Sequence, residues 1–186
     1  MPSPGTPEEW LDEGKAMFRR KRPFRRRRSY RAVKQRIRRI YVNDPFDLSR
    51  FVEAQDSAGT YEGALSELRA GSKHGHWMWF IFPQIAGLGQ SPTSRKYAIS
   101  SLDEARAFLN HPVLGARLLD CARAILAVDG RSAEQILGGI DARKLHSSST
   151  LFLRAAPDEV VFQQILDKYF GGVPDEATDR ILSSAP

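Results

Sequence analysis

Beyond residue 43, apolar residues recur at helical spacing, and this pattern constrains the fold more than any other feature. The segment 112–128 shows it best, because its apolar residues share one helical face and Gly130 follows as a stop signal. These residues are Val113, Leu114, Leu118, Cys121, Ala122, Ile125 and Leu126. No stretch alternates apolar and polar residues with period two, as a half-buried strand would. The pattern predicts an all-α body of about eight helices.

Helix-capping residues predict where several helices begin. Asp44 or Asp47 is expected to cap a helix through residues 48–55, Ser101 to open a capping box with Glu104, and Ser132 to cap a short helix. The other body helices are expected at 60–70, 112–128, 141–155, from Asp158 to Gly171 and from Asp175 onward. A further helix is expected at 6–18 in the N-terminal part.

Charge divides the chain into two parts. The whole protein has 28 Lys and Arg against 22 Asp and Glu, but residues 1–43 alone hold 14 basic and four acidic residues. We therefore expect a basic, flexible N-terminal arm at 1–43 and one acidic domain at 44–186. The densest part of the arm contains Arg19, Arg20, Arg22, Arg25, Arg26, Arg27 and Arg28. Two interpretations stay open, an arm that binds nucleic acid or an acidic membrane and a leader with no specific role.

Composition excludes several classes of protein. With 41% hydrophobic and 27% charged residues, the chain is ordinary globular material. Its longest apolar run, 77–83, is far shorter than the roughly 20 residues of a membrane-spanning helix. The single cysteine, Cys121, rules out an internal disulfide and lies on an apolar helix face, which predicts a buried, inert thiol. The four histidines lack metal-ligand spacing. We expect a cytoplasmic protein without a metal or other cofactor.

Between the polar residues His76 and Gln84 the chain is apolar throughout and contains four aromatic residues. Such a segment is hydrophobic on every side, which is typical of a central core element. A second interpretation makes Trp77 or Trp79 a stacking wall, with His76 and Gln84 reaching into a pocket. The loop that follows, 87–91, lacks a complete phosphate-binding motif and precedes Arg95 and Tyr97.

A run of hydroxyl residues, 147–150, stands inside a predicted helix, where such side chains are poor local choices. At helical spacing Lys144, Ser147 and Ser148 share a face, and one cation with two hydroxyls suits a phosphate, a ribose or a carboxylate. Two structural alternatives remain. In the first, Ser147 is the cap of a helix that begins later. In the second, the small serines allow close helix packing.

These two segments together define the hypothesis of a small-molecule pocket. Its expected ligand-binding residues are His76, Trp77, Trp79, Gln84, Arg95, Tyr97, Lys144, Ser147 and Ser148. The carboxylates Glu53, Asp56, Glu62 and Asp141 are candidate general acids or bases that the sequence does not distinguish.

Several motifs resemble a bacterial and fungal family known as domain of unknown function 1810. They are DPFDL with RFVEAQ at 44–55, HWMWFIFPQ with GLG at 76–89, SLDEA with HPVLG at 101–115, and KLHSSSTLF at 144–152. The resemblance covers about 44–182, implies a multihelical fold and implies no established activity. Some family members carry the label calpastatin, a protease inhibitor, which no residue here supports.

A fainter similarity concerns the helix join at 108–115 and the Gly-Gly and polar helix that follow, which resemble the NADAR family of enzymes acting on NAD- and ADP-ribose-type N-glycosides. That resemblance implies a hydrolase of N-glycosidic or nucleotide-derived substrates. No NADAR motif matches residue for residue and none of its catalytic residues is carried over, so the candidate general acid or base is a carboxylate of this chain such as Glu53. The opposing hypothesis is a non-catalytic interaction module whose arm alone contacts nucleic acid or membrane.

Overall fold

The computed structural model describes residues 44–184, and its regular elements in this range are helices. They are α1 (Ser49–Asp56), α2 (Thr60–Arg69), α3 (Met78–Ile81), α4 (Pro92–Lys96), α5 (Leu102–Asn110), α6 (Leu114–Leu126), α7 (Ala133–Leu137), α8 (Gly139–Ala155), α9 (Val160–Phe170) and α10 (Glu176–Ser184). A 3₁₀ turn, Ser57–Gly59, joins α1 to α2. The all-α prediction is thereby confirmed for this range. The expected arm and its helix at 6–18 lie outside it.

Two of the predicted caps form as expected. The Asp44 carboxylate accepts hydrogen bonds from the backbone N–H groups of Leu48, at 2.8 Å, and Ser49, at 2.9 Å, and so stabilises the start of α1. Ser132 and Gln135 form a complete capping box at the start of α7. Local side-chain chemistry therefore sets both helix starts.

The predicted capping box at α5 forms only by half. Ser101 accepts the backbone N–H of Glu104 at 3.2 Å, but the Glu104 carboxylate turns away from Ser101. It bonds instead to Arg50 at 2.6 Å and to the backbone and hydroxyl of Ser100. Arg50 also donates to the carbonyls of Lys96 and Ala98, each at 2.9 Å. This buried pair thereby fastens α1 to the start of α5 and to the segment before it.

Two short helices escaped the sequence pattern. The apolar segment forms α3 at its centre, and the residues after the 87–91 loop form α4. Helices of four and five residues are too short to show a period of 3.6. Within residues 44–184, an isolated parallel bridge between Ile85 and Ile99 closes the segment between them into a loop.

Helix α8 lies at the centre of the described domain and packs against α5, α7, α9 and α10. Four buried phenylalanines run through this core. The ring centroids are 5.0 Å apart for Phe51 and Phe108, 5.6 Å for Phe108 and Phe152, and 5.5 Å for Phe152 and Phe162. Because Phe152 packs one side of α8 into the core, the orientation of the polar side chains on the opposite side of α8 is fixed.

The hydroxyl run 147–150 lies in the middle of α8, so the interpretation of Ser147 as a helix cap is wrong. All four of these residues are buried. The Thr150 hydroxyl donates to the His146 carbonyl at 3.0 Å and accepts from the Asp175 backbone N–H at 2.8 Å. Ser148 and Ser149 have hydroxyls without a hydrogen-bond partner among residues 44–184. These small side chains fit the interpretation of close helix packing.

Candidate functional site

One side of α8 faces an open cleft of about 410 Å³, which we call the α8 cleft. Its lining comes from α3 and the segment after it, from the 88–94 loop, from α8 and from the start of α10. The lining residues are Trp79, Gln84, Leu88, Gly89, Gln90, Ser91, Ser94, Ile140, Arg143, Lys144, Ser147, Asp175 and Ala177. The volume is within the range of small-molecule sites.

At the base of the cleft, a hydrogen bond joins the segment after α3 to helix α8. Gln84 Nε2 donates to Ser147 Oγ at 2.5 Å, and Ser147 Oγ in turn lies 3.1 Å from the Arg143 carbonyl and 3.2 Å from the Lys144 carbonyl. The Gln84 carbonyl accepts the Ile99 N–H at 2.8 Å, which fixes its backbone. The predicted neighbourhood of Gln84 and Ser147 is thus present in the structure.

A chain of charged groups forms one wall. Asp141 lies between two lysines, with Oδ1 2.6 Å from Lys144 Nζ and Oδ2 2.7 Å from Lys73 Nζ. Burial acts to raise the pKa of Asp141, but hydrogen bonds and charge from Lys144 and Lys73 outweigh it and hold that pKa below its usual range. Asp141 is therefore a stable carboxylate at neutral pH.

Each of these lysines also lies over a tryptophan ring. Lys144 Nζ is 4.2 Å from the ring centroid of Trp79, and Lys73 Nζ is 5.0 Å from that of Trp77. These are cation–π distances. One face of Trp79 is consequently occupied by the Lys144 ammonium group.

Arg143 is a lining residue that the sequence analysis did not single out. It is exposed, and its guanidinium has no hydrogen-bond or ion-pair partner among residues 44–184. The sequence contains a signal for this position, because helical spacing puts Arg143 on the same face as Ile140, Lys144 and Ser147.

The opposite wall is the 88–94 loop. Ser91 caps α4 by accepting the Ser94 N–H at 3.1 Å, and Gly89 packs so closely that a Cβ there would lie 2.5 Å from Ser94 Cβ. Arg95 donates to the Gln90 carbonyl at 2.9 Å and 2.6 Å. Arg95 thus braces this loop and is not among the residues that line the cleft.

The other predicted ligand-binding residues lie away from the cleft lining. Trp77 is buried, and its indole N–H donates to Glu67 at 2.8 Å. Tyr97 packs on Phe51 and Phe80, with centroid distances of 5.8 Å and 5.3 Å. His76 is exposed and Ser148 is fully buried, and neither lines the cleft. Trp79, Gln84, Lys144 and Ser147 are the predicted residues that the fold brings together.

Among residues 44–184, the cleft contains donors and charges but no activated nucleophile. A serine nucleophile needs a neighbouring base, yet within the described part of the chain the Ser147 hydroxyl is bonded to carbonyls of its own helix and to the Gln84 amide. The Asp175 carboxylate caps α10 by accepting from the backbone and hydroxyl of Thr178. Glu53, the candidate general acid, is exposed on α1 and is not a lining residue. The arrangement offers hydrogen-bond donors and positively charged side chains to the cleft.

A family model described as "Protein of unknown function (DUF1810)" matches residues 45–182. The chain belongs to this DUF1810 family. It is similar to the conserved hypothetical protein Rv1873 from Mycobacterium tuberculosis, whose crystal structure matches with 51% identity and a TM-score of 0.74. The match covers 76% of this chain and 100% of that chain. No curated protein matches significantly. The predicted resemblance to this family is thereby confirmed.

Two structural findings apply to residues 44–184 of this DUF1810 protein. No helix in that range is long and apolar enough to cross a membrane. The same residues contain no group of three His, Cys, Asp or Glu side chains arranged to hold a metal ion.

Proposed function

We propose that this DUF1810 protein binds a small anionic molecule, carrying a carboxylate or phosphate group, in the α8 cleft. The observation that carries the proposal is the convergence of Arg143 and Lys144 with the Gln84–Ser147 pair on one cleft of about 410 Å³. Guanidinium, ammonium and amide groups together are a donor set for an oxyanion, whereas the Ser147 O–H donates to carbonyls of its own helix and holds the Gln84 amide in place.

Arg143 is the stronger anion-binding group of the two cations. Its guanidinium presents five donors in a planar fork and has no carboxylate partner among the described residues. Lys144 is already bonded to Asp141 at 2.6 Å, which neutralises part of its charge. The ligand's anionic group is therefore placed nearest to Arg143, with Lys144 behind it.

Lys144 also changes the proposed part that Trp79 plays. Because the ammonium covers one face of the ring, a ligand base cannot stack on that face without displacing Lys144. Trp79 then acts as an apolar support that orients Lys144, and Ile140, 66% exposed at the edge of the cleft, offers an apolar contact to the ligand. Nucleotides and ADP-ribose remain within the panel to be tested, but the geometry favours small organic acids and phosphates.

Binding without catalysis is the simpler proposal. Hydrolysis of an N-glycosidic bond needs a carboxylate or a base that can exchange a proton near the bond. Asp141 is held ionised by two lysines, and Asp175 is engaged at a helix start. Among residues 44–184, both carboxylates at this cleft are thus already engaged, and Glu53, the candidate acid of the hydrolase hypothesis, is exposed on α1 and does not line the cleft.

A thermal-shift screen of the full chain tests this proposal. The panel contains carboxylic acids, sugar phosphates, nucleotides, NAD and ADP-ribose, and a ligand at 100 times its dissociation constant adds about 2.7 kcal/mol of stability. Arg143→Gln and Lys144→Gln should remove the shift. Arg123→Gln and Lys168→Gln make the same charge changes away from the cleft and should keep it. A flat screen, or equal loss in the controls, contradicts the proposal.

The Arg-rich segment favours a second function, in nucleic-acid binding. Eight of the ten residues at 19–28 are basic, and this segment lies outside both the family match and the described residues. Contacts with phosphates release counterions, so affinity for a DNA or RNA oligonucleotide should fall steeply with salt. Replacing Arg25, Arg26, Arg27 and Arg28 by Gln should reduce both affinity and the salt slope. Binding that is insensitive to salt, or to these substitutions, contradicts it.

A further inference from the structure

We infer that the α8 cleft takes a singly charged anion, a carboxylate or a phosphodiester, in preference to a doubly charged phosphate monoester, and that Asp141 sets this preference. The inference rests on the proposed function, because it specifies the ligand of the same cleft. It follows from the charges that meet there and from the way in which they are paired.

Five ionised groups contribute to the cleft. Arg143, Lys144 and Asp175 line it, Asp141 contacts Lys144, and Lys73 contacts Asp141. Three cations and two carboxylates leave one net positive charge. A ligand with one negative charge neutralises this site, whereas a second negative charge must leave water without a matching cation, and the cost of desolvating that unpaired charge opposes binding.

The ion pairs of Asp141 with Lys73 and Lys144 strengthen the effect of this net charge. The side chains of Lys73, Asp141 and Lys144 are mostly buried, with 8%, 17% and 15% exposed. Charges withdrawn from solvent interact through a lower dielectric and are screened less by salt. Asp141 therefore reduces the attraction of the lysines for an anion more than an exposed carboxylate would.

Asp141 also keeps Lys144 in place, because one carboxylate oxygen holds Lys144 and the other holds Lys73. Lys73 is itself bonded to the Gly75 carbonyl at 2.5 Å, so that the carboxylate is anchored to the segment before α3. Asp141 is therefore a positioning residue. It directs the Lys144 ammonium to the ring of Trp79 and leaves the unpaired guanidinium of Arg143 to contact the anion.

Matched pairs of probes test the inference on the full chain at pH 8. Glucuronate is compared with glucose 6-phosphate, glycerate with glycerol 3-phosphate, and dimethyl phosphate with methyl phosphate. The last pair holds the phosphate geometry nearly constant while the charge changes, since the second phosphate pKa is about 6. Dissociation constants come from thermal-shift titrations. The singly charged member of a pair that binds should do so about tenfold more tightly.

Asp141→Asn tests the assignment to this residue. The substitution keeps the side-chain shape and raises the net charge of the cleft by one, so the preference should shrink by about tenfold or reverse. Asp129→Asn makes the same change at a carboxylate that is 97% exposed and pairs with Lys168, and it should leave the preference intact. Should Asp141→Asn fail to fold, the comparison within each probe pair on the unaltered protein still decides the charge preference.

The outcomes separate the two proposals. If no member of the wider anion panel stabilises the protein, the proposed function fails and this inference fails with it. If phosphate monoesters bind as tightly as singly charged anions, or more tightly, the cleft is an anion site but the charge preference is overturned. If the preference is present and folded Asp141→Asn leaves it unchanged, the assignment to Asp141 is overturned.

Discussion

Glu67 accepts the indole N–H of Trp77 at 2.8 Å, and this hydrogen bond fixes the start of the aromatic segment. The same carboxylate accepts the backbone N–H groups of His74 at 2.8 Å and of Gly75 at 2.9 Å. Burial acts to raise the pKa of Glu67, but the hydrogen bonds from Gly75, His74 and Trp77 together lower it. Trp77 is thereby a core residue, and its neighbour Trp79 is the one that reaches the cleft.

Removing this carboxylate should destabilise the protein. Glu67→Ala leaves the buried indole N–H and two backbone N–H groups without their acceptor, and we expect a loss of about 2–3 kcal/mol in the free energy of unfolding. Glu67→Gln retains one acceptor oxygen and should lose less. Chemical denaturation measures both variants. Glu62→Ala, on the exposed side of the same helix, is the control, and equal losses at the two positions would contradict the prediction.

Ser148 should tolerate replacement by alanine. Its hydroxyl is buried without a partner among the described residues, so Ser148→Ala removes a desolvated polar group and should be neutral or stabilising by up to about 1 kcal/mol. Thr150→Val is the comparison, because it loses bonds to His146 and Asp175 and should cost about 1 kcal/mol or more. Ser148→Ala should also leave anion binding unchanged, since Ser148 does not line the cleft. Unfolding of Ser148→Ala would refute this assignment.

His111 should make the stability of the protein sensitive to mildly acidic pH. Its Nδ1 accepts from the backbone N–H groups of Val113 at 3.2 Å and Leu114 at 3.3 Å, which only an Nδ1 without a proton can do. Burial lowers the pKa of His111, and the charge of Asp44 opposes this only in part. A depressed folded-state pKa means that this stability is present above the unfolded value, about 6.5, and is lost as the pH falls below it.

The measurement is the melting temperature between pH 8 and pH 5. We expect a decrease through this range that His111→Asn reduces, because the amide has no proton to gain. His76→Asn changes an exposed histidine and should leave the pH profile as it is. A profile for His111→Asn that follows that of the unaltered protein would show that another group is responsible.

Cys121 should be inert in the folded protein. Burial raises the pKa of its thiol to about 12, with a smaller contribution from Asp120, so almost no thiolate exists near neutral pH. Ellman's reagent should therefore react very slowly with the native chain and rapidly in denaturant. The chain has one cysteine, so the signal needs no deconvolution. Fast stoichiometric reaction without denaturant would contradict this prediction.

Local information was enough to predict the helices and many of their ends. Asp44, Ser132 and the glycine after α9 act within a few residues of their own position, and helical spacing of apolar side chains records which face is buried. The short helices α3 and α4 were missed because their lengths are close to one turn, whereas α7, equally short, was predicted from its Ser132 cap.

The α8 cleft shows that only the tertiary structure decided which side chains share one site. Sequence chemistry selected Trp79, Gln84, Lys144 and Ser147 correctly as neighbours in two polar or aromatic segments, but it also included Trp77 and Ser148. Whether a side chain faces a cleft or a core depends on what other segments place against it. Glu67 bonds to the Trp77 indole and holds it in the core. Asp141 pairs with Lys144 on its own helix and also with Lys73, which lies 68 positions before Asp141 in the sequence. Residue types and spacing therefore determined the helices and the available donors, while contacts between distant segments decided which donors share one site, because hydrogen bonds and ion pairs depend on distance in space and not along the chain.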